Sequence, residues 1–173
     1  LCQTVIGYSR LVPVKIDCLM YADDIILLAD THRKMKQLTE IWTEEIRKLE
    51  MEVNTNKCKT MIVNNKTEEE VREIDINGKN LEKVTAYEYL GSVISEDGKI
   101  DLDIANRINK SVKIYYALNK TVFGKREIDM KTKLRVYNAI VVPILTYASE
   151  SWAIQDKHEG KINAAEMKYL RKI

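Results

Sequence analysis

Asp23 and Asp24 stand side by side between two short apolar runs, Leu19-Met20 ahead of Tyr21-Ala22 and Ile25-Ile26-Leu27-Leu28 behind them. Adjacent carboxylates offer hard, anionic oxygens, the donor type that magnesium takes into its octahedral shell. Two such ions held about 3.5 to 4 Å apart steady the attacking and leaving oxygens of a phosphoryl transfer. Metal-assisted nucleotidyl transfer is therefore the chemistry open to this pair. The plainer use of an Asp-Asp pair is a solvated turn, since Asp hydrogen-bonds its own backbone there. Strongly apolar flanks, the absence of glycine and the preceding aromatic Tyr21 weigh against that use.

Each apolar run has the length of a short buried strand, so the segment reads as a hairpin with Ala22-Asp23-Asp24 as its connection. Both carboxylates would then project from the tip. Behind it, Thr31 is a plausible N-cap, and Met35, Leu38, Trp42, Ile46 and Leu49 recur every three or four residues. That spacing predicts one buried stripe on a helix covering the hairpin. A strand over 60–63, an acidic loop over 66–72, an Asn77-Gly78 turn and a short hairpin toward Tyr89-Leu90-Gly91 follow.

From about residue 97 the pattern becomes helical. Asp101 or Asp103 opens a helix carrying Leu102, Ile104, Ile108, Val112, Tyr115 and Leu118 and ending near Gly124. Asp129 is placed to cap a second, with Leu134, Tyr137, Ile140, Val141, Ile144 and Leu145 inward and Pro143 kinking it or marking where its last turn relaxes. Asp156 and Glu159 have capping-box spacing for a third, with Ile162, Ala165, Tyr169 and Leu170 inward. The expected class is α+β: antiparallel strands covered by a helix over 1–96, then an all-helical bundle over 97–173.

With 173 residues, 45% apolar and 31% charged, the chain has the composition of a folded globular protein. It begins at Leu1 rather than Met, and its last helical pattern runs to Ile173 without a stop signal, so it is expected to be a piece of a longer protein. No apolar stretch reaches membrane-spanning length and no signal peptide is evident, which favours an intracellular protein without a membrane partner. Cys2, Cys18 and Cys58 are too few and too scattered for a disulfide framework or a zinc site. His32 and His158 lie among charged residues near helix starts and carry no catalytic signature.

The formal charge of +2 conceals an asymmetry. Between Ala105 and Ser149 nine basic side chains (Arg107, Lys110, Lys113, Lys120, Lys125, Arg126, Lys131, Lys133, Arg135) face two acidic ones, Glu127 and Asp129. A basic stretch on helices attracts a nucleic-acid backbone through counterion release, although a solvated helix face has the same composition. Tyr115, Tyr116 and Phe123 either stack on bases or fill a core.

Tyr21-Ala22-Asp23-Asp24 resembles the catalytic hairpin of reverse transcriptases. The segments Glu50-Met51-Glu52-Val53-Asn54-Thr55-Asn56-Lys57-Cys58, Tyr89-Leu90-Gly91-Ser92 with Asp97-Gly98, Tyr137-Asn138, Tyr147, Ser149-Glu150-Ser151-Trp152 and Ala164-Ala165-Glu166 follow in the order found in that family. Together they resemble the C-terminal half of a reverse transcriptase from a non-LTR (LINE-type) retrotransposon, with the lower palm first and the thumb after it. The resemblance implies an RNA-directed DNA polymerase using magnesium, with manganese as an alternative, and working in nucleus and cytoplasm. Its partners would be an RNA template, a DNA primer, deoxynucleoside triphosphates and the rest of the polymerase.

On the same resemblance, Asp23 and Asp24 are metal ligands and catalytic residues. Lys57 matches a palm lysine for which a proton-donor role toward pyrophosphate is proposed. Tyr21, Ala22, Tyr89, Leu90 and Gly91 meet the primer, and Arg107, Lys110 and Lys113 track the duplex backbone. The family's further aspartate comes from an upstream strand, and no residue from Leu1 to Asp17 matches it, so the chain alone is expected to be inactive. Glu50 stands where the family commonly has glycine, and Cys58 where threonine or serine often stands. The alternative class is a non-enzymatic nucleic-acid-binding remnant of a retroelement. A purely structural helical protein would leave the acidic hairpin unexplained.

Overall fold

A computed structural model describes residues 5–6, 14–64 and 73–171. They form a mixed α/β protein of two compact units, residues 1–85 and 86–173. The acidic loop expected over 66–72 and Cys2 lie outside the described residues.

In the first unit, β1 (Val5–Ile6) pairs antiparallel with β2 (Val14–Lys15). The acidic hairpin is β3 (Cys18–Tyr21) and β4 (Asp24–Leu27), in the register Cys18↔Leu27 through Tyr21↔Asp24. Helix α1 (His32–Lys48) follows, and Thr31 caps it as the sequence suggests, its hydroxyl accepting the Lys34 N–H at 3.3 Å. Leu38 and Thr39 are buried, Met35, Trp42 and Ile46 are half-buried, and the helix packs against β4. Leu49 does not join the stripe: it is the C-cap residue, at 67% exposure.

The end of α1 absorbs the Glu50 departure. Glu50 adopts φ +58°, its N–H donates to the Arg47 carbonyl at 3.0 Å, and the Met51 N–H donates to Ile46 at 3.2 Å. These two bonds are a Schellman ending, whose left-handed position favours glycine. A non-glycine residue there costs about 1 to 2 kcal/mol, partly offset by the extra freedom glycine gives the unfolded chain. Glu50→Gly is expected to stabilise the chain by about 0.5 to 1 kcal/mol in urea denaturation; an unchanged or lower midpoint would contradict a strained left-handed cap.

Beyond α1, β5 (Lys59–Thr60) is shorter than the strand expected over 60–63. β6 (Asp75–Ile76) and β7 (Lys79–Asn80) form a hairpin around Asn77 (φ +52°) and Gly78 (φ +76°), the double positive φ of a type I′ turn. β8 (Glu82–Lys83) then runs parallel to β5.

The second unit begins with a hairpin, β9 (Ala86–Tyr89) and β10 (Ser92–Ser95), packed on α2 (Asp101–Leu118). These strands therefore group with the helices, and the compact units part at Thr85/Ala86. Asp101 is the first helical residue but not a cap, because Ile100 occupies that position without a side-chain bond. A π-turn (Asn119–Phe123) extends α2 to Gly124, where a Cβ would lie 2.8 Å from the Asn119 carbonyl oxygen.

Asp129 caps α3 (Met130–Val136), its carboxylate accepting the Thr132 N–H at 2.9 Å and the Thr132 hydroxyl at 2.7 Å. A second π-turn (Tyr137–Val141) precedes α4 (Val142–Leu145). Pro143 lacks an N–H and its ring crowds the carbonyl four residues back, and the wider turn relieves that crowding. The same widening resets the buried face: Lys133, Tyr137, Val141 and Leu145 are inward at intervals of four, while the expected core residues Leu134 and Ile140 are each 38% exposed.

Helix α5 (Asp156–Leu170) closes the unit. Its capping box is Gln155 with His158, one residue earlier than the expected Asp156 and Glu159. His158 is buried, with its Nδ1 accepting the Gln155 N–H at 3.2 Å. The core is aromatic: Tyr115 stacks on Phe123 (centroids 5.0 Å apart) and on Tyr169 (4.7 Å), with Tyr137 beside them. Tyr115 and Phe123 are thus packing residues, whereas Tyr116 is 45% exposed. Burial and the nearby Glu166 carboxylate push the Tyr137 phenol up to about 12.

Asp101 ties α2 to α5. Lys157 donates to it at 2.9 Å, Lys161 at 3.1 Å, and His158 Nε2 lies 3.4 Å away. Those donors, Lys157 foremost, hold its carboxyl well below the usual 3.8. A depressed carboxylate stabilises the fold above its unfolded value, and the contribution fades as pH falls through the folded value. Asp101→Asn is expected to lower Tm at pH 6 but to converge on the parent as pH drops below about 4. A constant Tm difference across that range would contradict this.

Candidate active site

The acidic tip is built by a two-residue loop, Ala22-Asp23, with Tyr21 and Asp24 as the closing pair. Asp23 therefore lies in the loop, while Asp24 is the first residue of β4 rather than part of a three-residue connection. Ala22 has φ +53° and Asp23 does not share the positive φ. Ala22 thus occupies the left-handed region at the first loop position, where a tight hairpin turn reverses the chain. Tyr21, Ala22, Asp23 and Asp24 are all exposed, Tyr21 at 66%.

Their donor set fits magnesium: two hard carboxylates, open to solvent, on a backbone fixed by strand pairing. Among the described residues, however, no three His, Cys, Asp or Glu side chains gather in one place. Asp23 and Asp24 thus stand as an isolated pair of carboxylates among the described residues.

Lys57 sits in the turn after α1, where its N–H donates to the Asn54 carbonyl at 3.0 Å. Its side chain is exposed. The neighbouring Asn56 and Lys59 are tied by hydrogen bonds to Lys79 and Glu82, anchoring this turn to the strands after it. Cys58 is half-buried, and that burial pushes its thiol up.

Tyr89, Leu90 and Gly91 form the closing residue and loop of the β9–β10 hairpin. Leu90 (φ +47°) and Gly91 (φ +87°) both have positive φ, a type I′ pattern in which Leu is a poor occupant. Tertiary contacts hold it. The Tyr147 hydroxyl donates to the Leu90 carbonyl at 2.9 Å, and Arg107 Nη2 donates to the Gly91 carbonyl at 2.5 Å.

The three expected backbone-tracking residues are not equivalent. Arg107 is 5% exposed, with its guanidinium committed to Gly91 and stacked 4.3 Å from the Tyr147 ring centroid. A side chain tracking phosphates has to face solvent, whereas Arg107 makes internal contacts here. Lys110 is partly exposed and pairs with Glu88 at 2.6 Å, while Lys113 is exposed. Sequence reasoning missed Asp103 as Arg107's companion. The i,i+4 spacing among Ile104 and Ile108 was the available signal, since ionised residues flanked by core positions lie on the buried face.

The family described as Reverse transcriptase (RNA-dependent DNA polymerase) matches residues 2–94, a span containing both hairpin tips and Lys57. The chain is similar to the RNA-directed DNA polymerase from mobile element jockey of Drosophila funebris, 24% identical over 88% of this chain and 17% of that protein. It is also similar to a putative uncharacterized transposon-derived protein of Caenorhabditis elegans, 22% identical over 90% of this chain and 55% of that protein. The chain thus spans little more than half, at most, of these curated relatives. No solved structure matches it. Among the described residues no helix is long and apolar enough to cross a membrane. The family match covers more than half of the chain, and the chain belongs to the reverse transcriptase family.

Proposed function

We propose that this chain is the C-terminal part of the palm, followed by the thumb, of a non-LTR retrotransposon reverse transcriptase that extends a DNA 3′ end on an RNA template. The observation supporting it most is the two-residue hairpin tip that exposes Asp23 and Asp24 together, inside the family-matched span. Asp23 and Asp24 would hold magnesium, with manganese as an alternative. When bound, the metal supplies charge neutralisation at the attacking and leaving oxygens. Asp23 serves as principal ligand and Asp24 as second ligand or electrostatic support, while Tyr21 and Ala22 shape the turn against the primer terminus.

Lys57 stands ready to give a proton toward the pyrophosphate side, a role its solvent-facing turn permits. Tyr89, Leu90 and Gly91 position the primer. Lys110 and Lys113 meet the duplex backbone by charge and so read helix shape rather than base sequence. The deoxynucleoside triphosphate is selected by parts of the polymerase beyond these residues. Two carboxylates leave the metal site short of a ligand, so the isolated chain is inactive and the full-length polypeptide that carries it is the catalyst. Intracellular action in nucleus and cytoplasm follows from the same reading.

Primer extension on an RNA template by the full-length polypeptide tests this. Incorporation that appears with magnesium and is abolished by chelation is the expected result. Duplex binding without any incorporation would instead favour a retroelement remnant that only binds nucleic acid.

A further inference from the structure

Arg107, Asp103, Tyr147 and Trp152 form a polar network around one hairpin, and no part of the polymerisation reading uses it. Asp103 Oδ1 accepts the Val93 N–H of β10 at 2.9 Å, and Oδ2 accepts Trp152 Nε1 at 2.8 Å. Its Oδ1 also lies 3.9 Å from Arg107 Nε, both side chains being almost wholly buried. Arg107 donates to the Gly91 carbonyl, and Tyr147, stacked under that guanidinium, donates to the Leu90 carbonyl.

Carbonyls at a hairpin tip are ordinarily left to water, since loops run over the surface. Here both loop carbonyls are taken by side chains from distant parts of the unit, one of them a buried arginine. Gly91 is required on the same account. At φ +87° a side chain is strained, and a Cβ would lie 3.4 Å from both Arg107 Nη2 and Tyr147 Cε1. The network leaves the turn little freedom to slide on α2. Its outer strand face, with Tyr87 at 39% and Ile94 at 38% exposure, remains open.

We infer that Arg107 and Tyr147, braced by Asp103 and Trp152, are positioning residues that fix the turn at 89–92 for the primer end. This rests on the proposed function, in which that turn meets the primer. Holding the turn in advance lowers the ordering cost of binding there, so loosening it should weaken primer engagement more than chemistry.

Tyr147→Phe is the gentlest test, because it removes only the hydroxyl and keeps the ring under Arg107. Arg107→Lys keeps the charge but loses the planar stack. In the full-length polypeptide, each variant is expected to raise the KM for a DNA-primed RNA template by about three- to tenfold, the worth of one hydrogen bond. The kcat and the KM for deoxynucleoside triphosphate should stay within about twofold. Amide exchange at Gly91 and Ser92 should quicken in the same variants. Unchanged primer KM in both variants, with exchange quickened, overturns the positioning role while leaving the polymerase reading intact. If the unsubstituted polypeptide extends no primer, the polymerase reading itself fails, and the positioning role goes with it.

Discussion

Asp23→Asn in the full-length polypeptide is expected to lower primer extension by at least about a hundredfold, the scale on which loss of one charge-stabilising group acts in transition states. An amide keeps the size of the side chain and one oxygen but loses the anionic charge that draws a hard cation. The tip should survive the change, because its geometry comes from pairing between β3 and β4 and from Ala22, and Asp23 is exposed. Affinity for an RNA–DNA duplex should therefore remain within about twofold and fall with added salt, as phosphate contacts do. Parallel loss of binding and extension would point to misfolding. Full activity in Asp23→Asn would remove the acidic hairpin from the mechanism, and salt-independent binding would remove the basic helices from duplex recognition.

Asp103→Ala is expected to cost the helical unit about 3 to 5 kcal/mol, the range seen when one partner of a buried ion pair is deleted. The change strands three groups at once. Arg107 stays buried without its carboxylate, and the Val93 N–H and Trp152 indole lose their acceptor. By contrast Lys110→Ala, which deletes half of the more exposed pair with Glu88, should cost no more than about 1 kcal/mol. Urea denaturation of the chain, followed by far-UV circular dichroism and Trp fluorescence, separates the two. Equal losses would mean that the Asp103 network contributes no more than a surface pair.

Much of the site was legible because its signals are local. Apolar runs flanking Asp23 and Asp24 specify a hairpin whatever surrounds it, and Asn77-Gly78 specifies its turn by the same token. Thr31 and Asp129 each cap the helix that the sequence assigns to them, since a cap needs only the three residues that follow. The cap of α5 was displaced by one residue. Gln155 and His158 close the box on amides one position earlier than Asp156 and Glu159 would, and His158 is buried beside Asp101.

Inward faces were less legible wherever the helix is not an α-helix. Periodicity arguments assume 3.6 residues per turn, and the π-turn ahead of Pro143 shifts the buried set to Lys133, Tyr137, Val141 and Leu145. Arg107 shows the wider limit. A basic residue in a basic stretch reads as solvent-facing, and only its long-range partners, the Gly91 carbonyl and the Tyr147 ring, turn it inward. The sequence by itself determined the acidic hairpin, the capped helices and the reverse transcriptase family, because strand alternation, caps and ordered motifs are written in neighbouring residues. Tertiary structure alone decided which charged side chains face solvent and which hold the second hairpin, because burial of a charge depends on partners brought together from distant parts of the chain.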